Sequence, residues 1–438
     1  MCTQSYVPLT DSARLRGTLS DDGVFRCFNI PYATAEYRQP AQPAPLHDHD
    51  GTTRPSAPPD NPMVLSVCAP LHRKNLPIMV WLHGGRYEEG HPSEPWADPG
   101  KLAHDGVLTI SLGYRKRFSG FWPWREGHGI EQFPALQDLQ LALQWIRTHA
   151  PTFGGDISNV TVVGQSAGAG IALLLASDPR HADMIQRAVA MSPAFSWAAY
   201  NRQYPLSPRR LALGLPLALA RKPMPRLYQF AAQFCPSDTL VGPRISNYQP
   251  RVPVLVTTTS EEFHFAAEVK AVERLPKIIA SAYTAFRRLR RSPGERWSIL
   301  PTGLSQQSFG DAVSDATIRR HAIAIDYLHR QANIPVWTME FRPGEGEGIG
   351  PDGLPTSGAP HCIDIRRLFG LEAHHPFYEV VRQFLDGNQK LPNNQVFYGA
   401  GAKATTEIDP QLWDEVRQRF RSSLPLGTAG RPPATSGS

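Results

Sequence analysis

Four clusters of residues in this chain have the types and the order that nucleophilic acyl transfer needs. The first is Gly164-Gln165-Ser166-Ala167-Gly168. Small residues two before and two after a serine are what a sharp strand-to-helix turn demands, because its flanks are crowded. A serine hydroxyl is a poor nucleophile until a base takes its proton, and the base needs a carboxylate to fix its tautomer. For a nucleophile carried on such a turn, the chain order is serine, then acid, then histidine. The acids come from Thr257-Thr258-Thr259-Ser260-Glu261-Glu262, after the strand-like 252–256; either glutamate could serve. The histidine comes from Gly358-Ala359-Pro360-His361, a glycine- and proline-led loop, against the competitors His264, His321, His329, His374 and His375. The fourth cluster, Trp81-Leu82-His83-Gly84-Gly85-Arg86, ends a strand-like run upstream of the serine. Glycine loops at that point can hold an oxyanion with backbone N–H groups, and Ala167, the residue after the nucleophile, gives another donor.

These residues need a scaffold that brings loops from distant strands together. Residues 159–163 before the serine are β-branched, and 171–177 after it suit a buried helix. Further strands are expected at 63–68, 78–82, 107–112, 160–163, 188–191, 252–257 and 335–341. Helices are expected at 135–148, 167–177, 311–331 and 376–385. Alternating strands and helices imply an α/β protein with a mostly parallel central sheet flanked by helices. Residues 35–62, rich in Pro, Asp and His, read as loop. Within them His47-Asp48-His49-Asp50 reads as a polar surface turn rather than a metal site. The Gly-, Pro- and Ser-rich 425–438 reads as a disordered tail behind a single domain, 1–424.

Composition narrows the function classes. The chain has 438 residues, 41% hydrophobic and 19% charged, which suits a large globular core. A net charge of +6 over this length is too weak to imply nucleic acid, and the basic run 287–291 reads as a solvated helix face. No apolar stretch approaches the ~20 residues that span a bilayer. The apolar 211–220, flanked by arginines, reads as part of a cap. Five scattered cysteines and an N-terminus without an apolar run suggest a reducing, cytoplasmic setting.

Several motifs together resemble the type-B carboxylesterase family, which includes cholinesterases and para-nitrobenzyl esterases. They are Phe28-Asn29-Ile30-Pro31-Tyr32-Ala33, Val80-Trp81-Leu82-His83-Gly84-Gly85, Leu136-Gln137-Asp138, Phe153-Gly154-Gly155-Asp156, the serine turn, and Arg187-Ala188-Val189-Ala190-Met191-Ser192. The resemblance implies an α/β-hydrolase fold with a shortened helical cap at about 196–250. It implies ester hydrolysis through an acyl-enzyme, with Ser166 as nucleophile, Glu262 as acid and His361 as base. The oxyanion donors fall on Gly85, Arg86 and Ala167. It implies no metal and no cofactor, and a small-molecule ester as partner; oligomeric state stays open. Amide, carbamate or lactone hydrolysis by the same machinery is the alternative, and a non-catalytic binding protein is the alternative of another class. The sequence departs from the family at Arg86 (usually Gly), Gln165 (commonly Glu), Phe263 (Gly), Cys362 (Gly) and Met63, where Asp60-Asn61-Pro62-Met63 stands for Glu-Asp-Cys-Leu.

Overall fold

The computed structural model describes residues 3–36, 39–121, 133–195, 243–264, 267–276, 278–280, 282, 309–342, 359, 361–371, 375–391 and 395–398. Their main strands are β1 (Thr3–Thr10), β2 (Ala13–Leu19), β3 (Val24–Pro31), β4 (Val64–Pro70), β5 (Leu76–Leu82) and β6 (Leu108–Leu112). They continue with β7 (Gly155–Gln165), β8 (Ile185–Met191), β9 (Val254–Thr259), β10 (Val336–Arg342) and β11 (Gln395–Tyr398). One sheet holds them in the order β1-β2-β3-β4-β6-β5-β7-β8-β9-β10-β11. From β6 to β11 every neighbouring pair is parallel; from β1 to β4, and between β4 and β6, pairing is antiparallel.

The central strands carry almost nothing but apolar residues because both faces of the sheet are covered. Side chains alternate along a strand, and β5 divides accordingly. Ile78, Val80 and Leu82 enter one core, Met79 and Trp81 the other. Helices α1 (Pro134–His149) and α2 (Ala167–Ser177) cover the first face. Helices α4 (Ile363–Leu368) and α5 (Pro376–Leu385) cover the second. Helix α2 is buried at every position, which explains a sequence, AGAGIALLLAS, with no polar face.

Two features differ from the sequence reading. Strands β1–β3 lie before the first strand expected. β1, with its sequence TQSYVPLT, is mostly exposed on both sides, so it carries little apolar alternation to betray it. The helix expected over 311–331 is divided: a π-helical turn at Asp315–Arg319 separates Phe309–Ser314 from α3 (Arg320–Ala332). The acids of His47–Asp50 are taken up by arginines, Asp48 by Arg14 and Asp50 by Arg16, while His49 bonds the Phe28 carbonyl at 2.8 Å. The expected cap segment 211–220, the basic run 287–291, the tail 425–438 and His374 lie outside the described residues.

Candidate active site

Ser166 stands between the end of β7 and the start of α2 with φ 55° and ψ −120°, a conformation that non-glycine residues rarely adopt. Hydrogen bonds hold it there. Its N–H donates to the Met191 carbonyl at 2.8 Å, and its own carbonyl accepts from the Ala194 N–H at 3.0 Å. The flanking glycines are obligatory for a steric reason. A Cβ on Gly164 would sit 2.2 Å from the Gly168 carbonyl oxygen. One on Gly168 would sit 2.1 Å from that of Leu82. The turn therefore presents the serine at the carboxyl end of the sheet, where open α/β sheets bind ligands. Ala167 opens α2, so its N–H has no acceptor within the helix.

The glycine loop leaves β5 beside this turn, since Leu82 and Gly164 are register partners. Gly85, Arg86 and Tyr87 all have positive φ, at 107°, 57° and 64°. The Gly85 carbonyl anchors the loop by accepting the N–H groups of Glu88 and Glu89 at 2.8 and 2.9 Å. Tyr87 is buried; its hydroxyl donates to the Ala194 carbonyl at 2.6 Å, and its ring meets Phe121 edge-on. It ties the loop to the segment that follows β8. Arg86 is exposed, so its side chain stands away from the loop's buried base. His83 lies beneath, stacked on Tyr114 and bonded to the Gly84 carbonyl. Burial pulls its pKa down to about 3, so it is a neutral packing group.

Glu262 follows β9 and is fully buried. Its Oε1 accepts from the Ser192 hydroxyl at 2.8 Å and the Thr259 N–H at 2.7 Å. Its Oε2 faces His361 Nδ1 at 2.5 Å. Glu261 points elsewhere and accepts the Ala359 N–H at 2.9 Å. The two glutamates that sequence left open are thus separated by what each touches. Burial by itself would lower the His361 pKa. Cys362 and the Glu262 carboxylate outweigh it and hold the imidazole well above the ordinary histidine range. Behind Glu262, the buried Asp364 accepts from the Thr257 hydroxyl at 2.8 Å; burial, with Glu262 nearby, pushes it up to about 6.

The competing histidines that are described have other partners. His264 faces Asp311 at 3.3 Å, and His329 bonds the Tyr248 hydroxyl. His321 is buried edge-on to Phe195, and His375 caps α5 by accepting the Phe377 N–H. Sequence reasoning missed four supports of the site. Ser192 and Thr259 fix Glu262, and no spacing marks them. Phe263, noted only as a departure, stacks on the His361 ring with centroids 4.9 Å apart. Gln165, also noted as a departure, places its amide nitrogen 3.1 Å from His361 Nε2. Cys362 adopts φ 77°, which explains why glycine suits this position.

The sequence profile of the carboxylesterase family matches residues 31–214. The para-nitrobenzyl esterase of Bacillus subtilis (strain 168) is 35% identical over 212 residues, 42% of this chain and 43% of the relative. The family profile thus covers less than half of this chain. The fumonisin B1 esterase of Sphingopyxis macrogoltabida is 30% identical over 141 residues, 31% of this chain and 26% of that protein. These sequence matches span less than half of either relative's length. In structure the chain is similar to a PNB esterase, with a TM-score of 0.69 at 21% identity, covering 94% of this chain and 100% of the other. Its TM-score to the juvenile hormone esterase of Manduca sexta is 0.70 at 18% identity, covering 96% and 99%. Those likenesses establish the α/β-hydrolase fold. The family match covers the glycine loop and the serine turn but ends before Glu262 and His361, which the tertiary geometry alone brings together.

Proposed function

We propose that this protein hydrolyses carboxylic esters through an acyl-enzyme, with Ser166 as nucleophile, His361 as base and Glu262 as the group that orients the base. The observation that carries this reading is the buried 2.5 Å contact between Glu262 and His361, whose ring also lies 3.1 Å from Gln165, the residue before a serine held in a strained strand-to-helix turn. With Nδ1–H committed to Glu262, the neutral ring keeps its lone pair on Nε2. That lone pair takes the Ser166 proton as the oxygen attacks the ester carbonyl. The N–H groups of Gly85, Arg86 and Ala167 hold the oxyanion. Losing one such donor costs about 10²–10³ in rate. The carbon–oxygen bond to the alcohol then breaks, and the alcohol leaves with the proton from His361. Water attacks the acyl-enzyme with its proton going to His361, and the acid is released as that proton returns to Ser166. The substrate is a small-molecule ester; the setting consistent with the free, buried Cys27 and Cys68 is a reducing, cytoplasmic one.

Intact-mass analysis after incubation with a fluorophosphonate, on wild type and Ser166→Ala, tests this together with turnover of p-nitrophenyl acetate and butyrate. The expected result is one adduct on wild type, none on the variant, and turnover that disappears with the serine. Folded wild type without an adduct would leave a non-catalytic binding protein as the better reading. An adduct with turnover of amides or lactones but no esters would move the chain to the alternative hydrolase class.

A further inference from the structure

The residue before the nucleophile touches the base. Gln165 and His361 are both buried, and Gln165 Nε2 lies 3.1 Å from His361 Nε2. The same amide rests against the glycine loop: a Cβ on Gly84 would stand 2.6 Å from Gln165 Oε1. Bare Gly84 thus makes the space in which the amide sits, and the amide fills the gap between the loop and the imidazole. On the far side of the ring, Nδ1 faces Glu262 at 2.5 Å. A neutral imidazole with its proton on Nδ1 has only a lone pair at Nε2. An amide N–H beside that nitrogen donates into it, at the position where the Ser166 hydroxyl must donate for the reaction to begin.

We propose that Gln165 is a positioning residue that restrains the base: whenever the ring is neutral, its amide N–H occupies the Nε2 lone pair of His361 and gives it up when Ser166 transfers its proton. The inference rests on the Ser166–His361–Glu262 reading above. Its physical basis is the difference between an amide and a carboxylate at this site. Donation to Nε2 favours the neutral ring, whereas an ionised glutamate can only accept and would favour the imidazolium. The other titratable and charged groups around His361 are Cys362, Glu262 and Asp364, from the loop after β9 and the start of α4, with Arg367 acting on Asp364. A substitution at Gln165 leaves all four in place.

The test follows phosphonylation of the full chain by a small fluorophosphonate, timed by intact mass from about pH 5 to pH 10. In that step the Ser166 oxygen–phosphorus bond forms and the phosphorus–fluorine bond breaks. Fluoride leaves, and the serine proton passes to His361. Wild type is compared with Gln165→Met, which removes the donor, and Gln165→Glu, which keeps the shape and replaces it with an acceptor. The plateau rate of Gln165→Met should rise about threefold or more, as expected for releasing one hydrogen bond. The acid-limb midpoint of Gln165→Glu should move up by about one pH unit or more. A Met plateau at or below that of wild type, or a Glu midpoint that does not move, overturns the inference; the isosteric Glu variant decides the matter should Met disturb folding. Wild type that takes no adduct at any pH removes the triad reading and this inference with it. An adduct on wild type with unshifted variants removes the inference alone.

Discussion

At the residue scale, the two neighbouring glutamates are the sharpest contrast. Glu262 is buried on His361, while Glu261 braces a backbone N–H. Glu262→Gln keeps the shape but turns a pure acceptor into a group that can present N–H to Nδ1, which favours the wrong tautomer. Its kcat should fall by about 10³–10⁴. Glu261→Gln should retain activity within about tenfold, since it removes charge but no contact to the base. Steady-state kinetics on the two variants check this, and equal losses would reverse the assignment. The pH profile follows from His361. The base works only when deprotonated, and Cys362 with Glu262 raises its pKa against burial. Activity should therefore be lost as pH falls, with an acid-limb midpoint above the ordinary value of about 6.5. A kcat/KM profile of p-nitrophenyl acetate hydrolysis reads that midpoint directly.

At the element scale, the site depends on three chain segments approaching at van der Waals distance. α2 can start beneath β5 only because Gly168 lacks a side chain: a Cβ would lie 2.1 and 2.5 Å from the carbonyl oxygens of Leu82 and His83. Backbone cannot yield as a side-chain tip does. Gly168→Ala should cost about 1–3 kcal/mol as overpacking, lowering Tm, and should also displace the glycine loop from the serine and lower kcat. A variant with wild-type Tm and kcat would mean that the helix and loop adjust freely. α1 is tied to the sheet differently. Asp138 is fully buried and takes the Arg115 guanidinium at 2.5 and 2.8 Å, while Arg115 also donates to the Gln39 carbonyl. Asp138→Ala strands that cation in the core and should cost about 3–5 kcal/mol, measurable by urea denaturation.

At the scale of the whole molecule, packing takes two of the described thiols, Cys27 and Cys68, out of reach of solvent. Cys27 and Cys68 are buried, and burial pushes both thiols up to about 12. Iodoacetamide at mildly alkaline pH should leave both unlabelled in the native protein and modify both in denaturant, as peptide mass mapping would record. Labelling of either in the native state would mean that the β3–β4 region opens.

Much of this molecule was legible before any coordinates. The strands β4 to β10 are rich in apolar and β-branched residues because a covered sheet buries both faces, and such segments stand out in a sequence. Ser166 was legible because its turn imposes glycines at fixed offsets, a local steric demand that sequence records directly. The edge strand β1 was not, because its mostly exposed faces carry no apolar pattern. The break in the helix at Asp315–Arg319 was not, because helical periodicity continues through it. Most of all, contacts between residues far apart in the chain belong to the tertiary structure. Chain order could offer Glu261 and Glu262 equally, since adjacent residues leave a strand end in different directions and only packing decides which one meets His361. Gln165 and Phe263 looked like departures from a pattern; the fold placed one on Nε2 and the other on the face of the same ring. Local sterics write themselves into sequence, whereas a contact between residues 165 and 361 exists only once the sheet has brought the ends of its strands together.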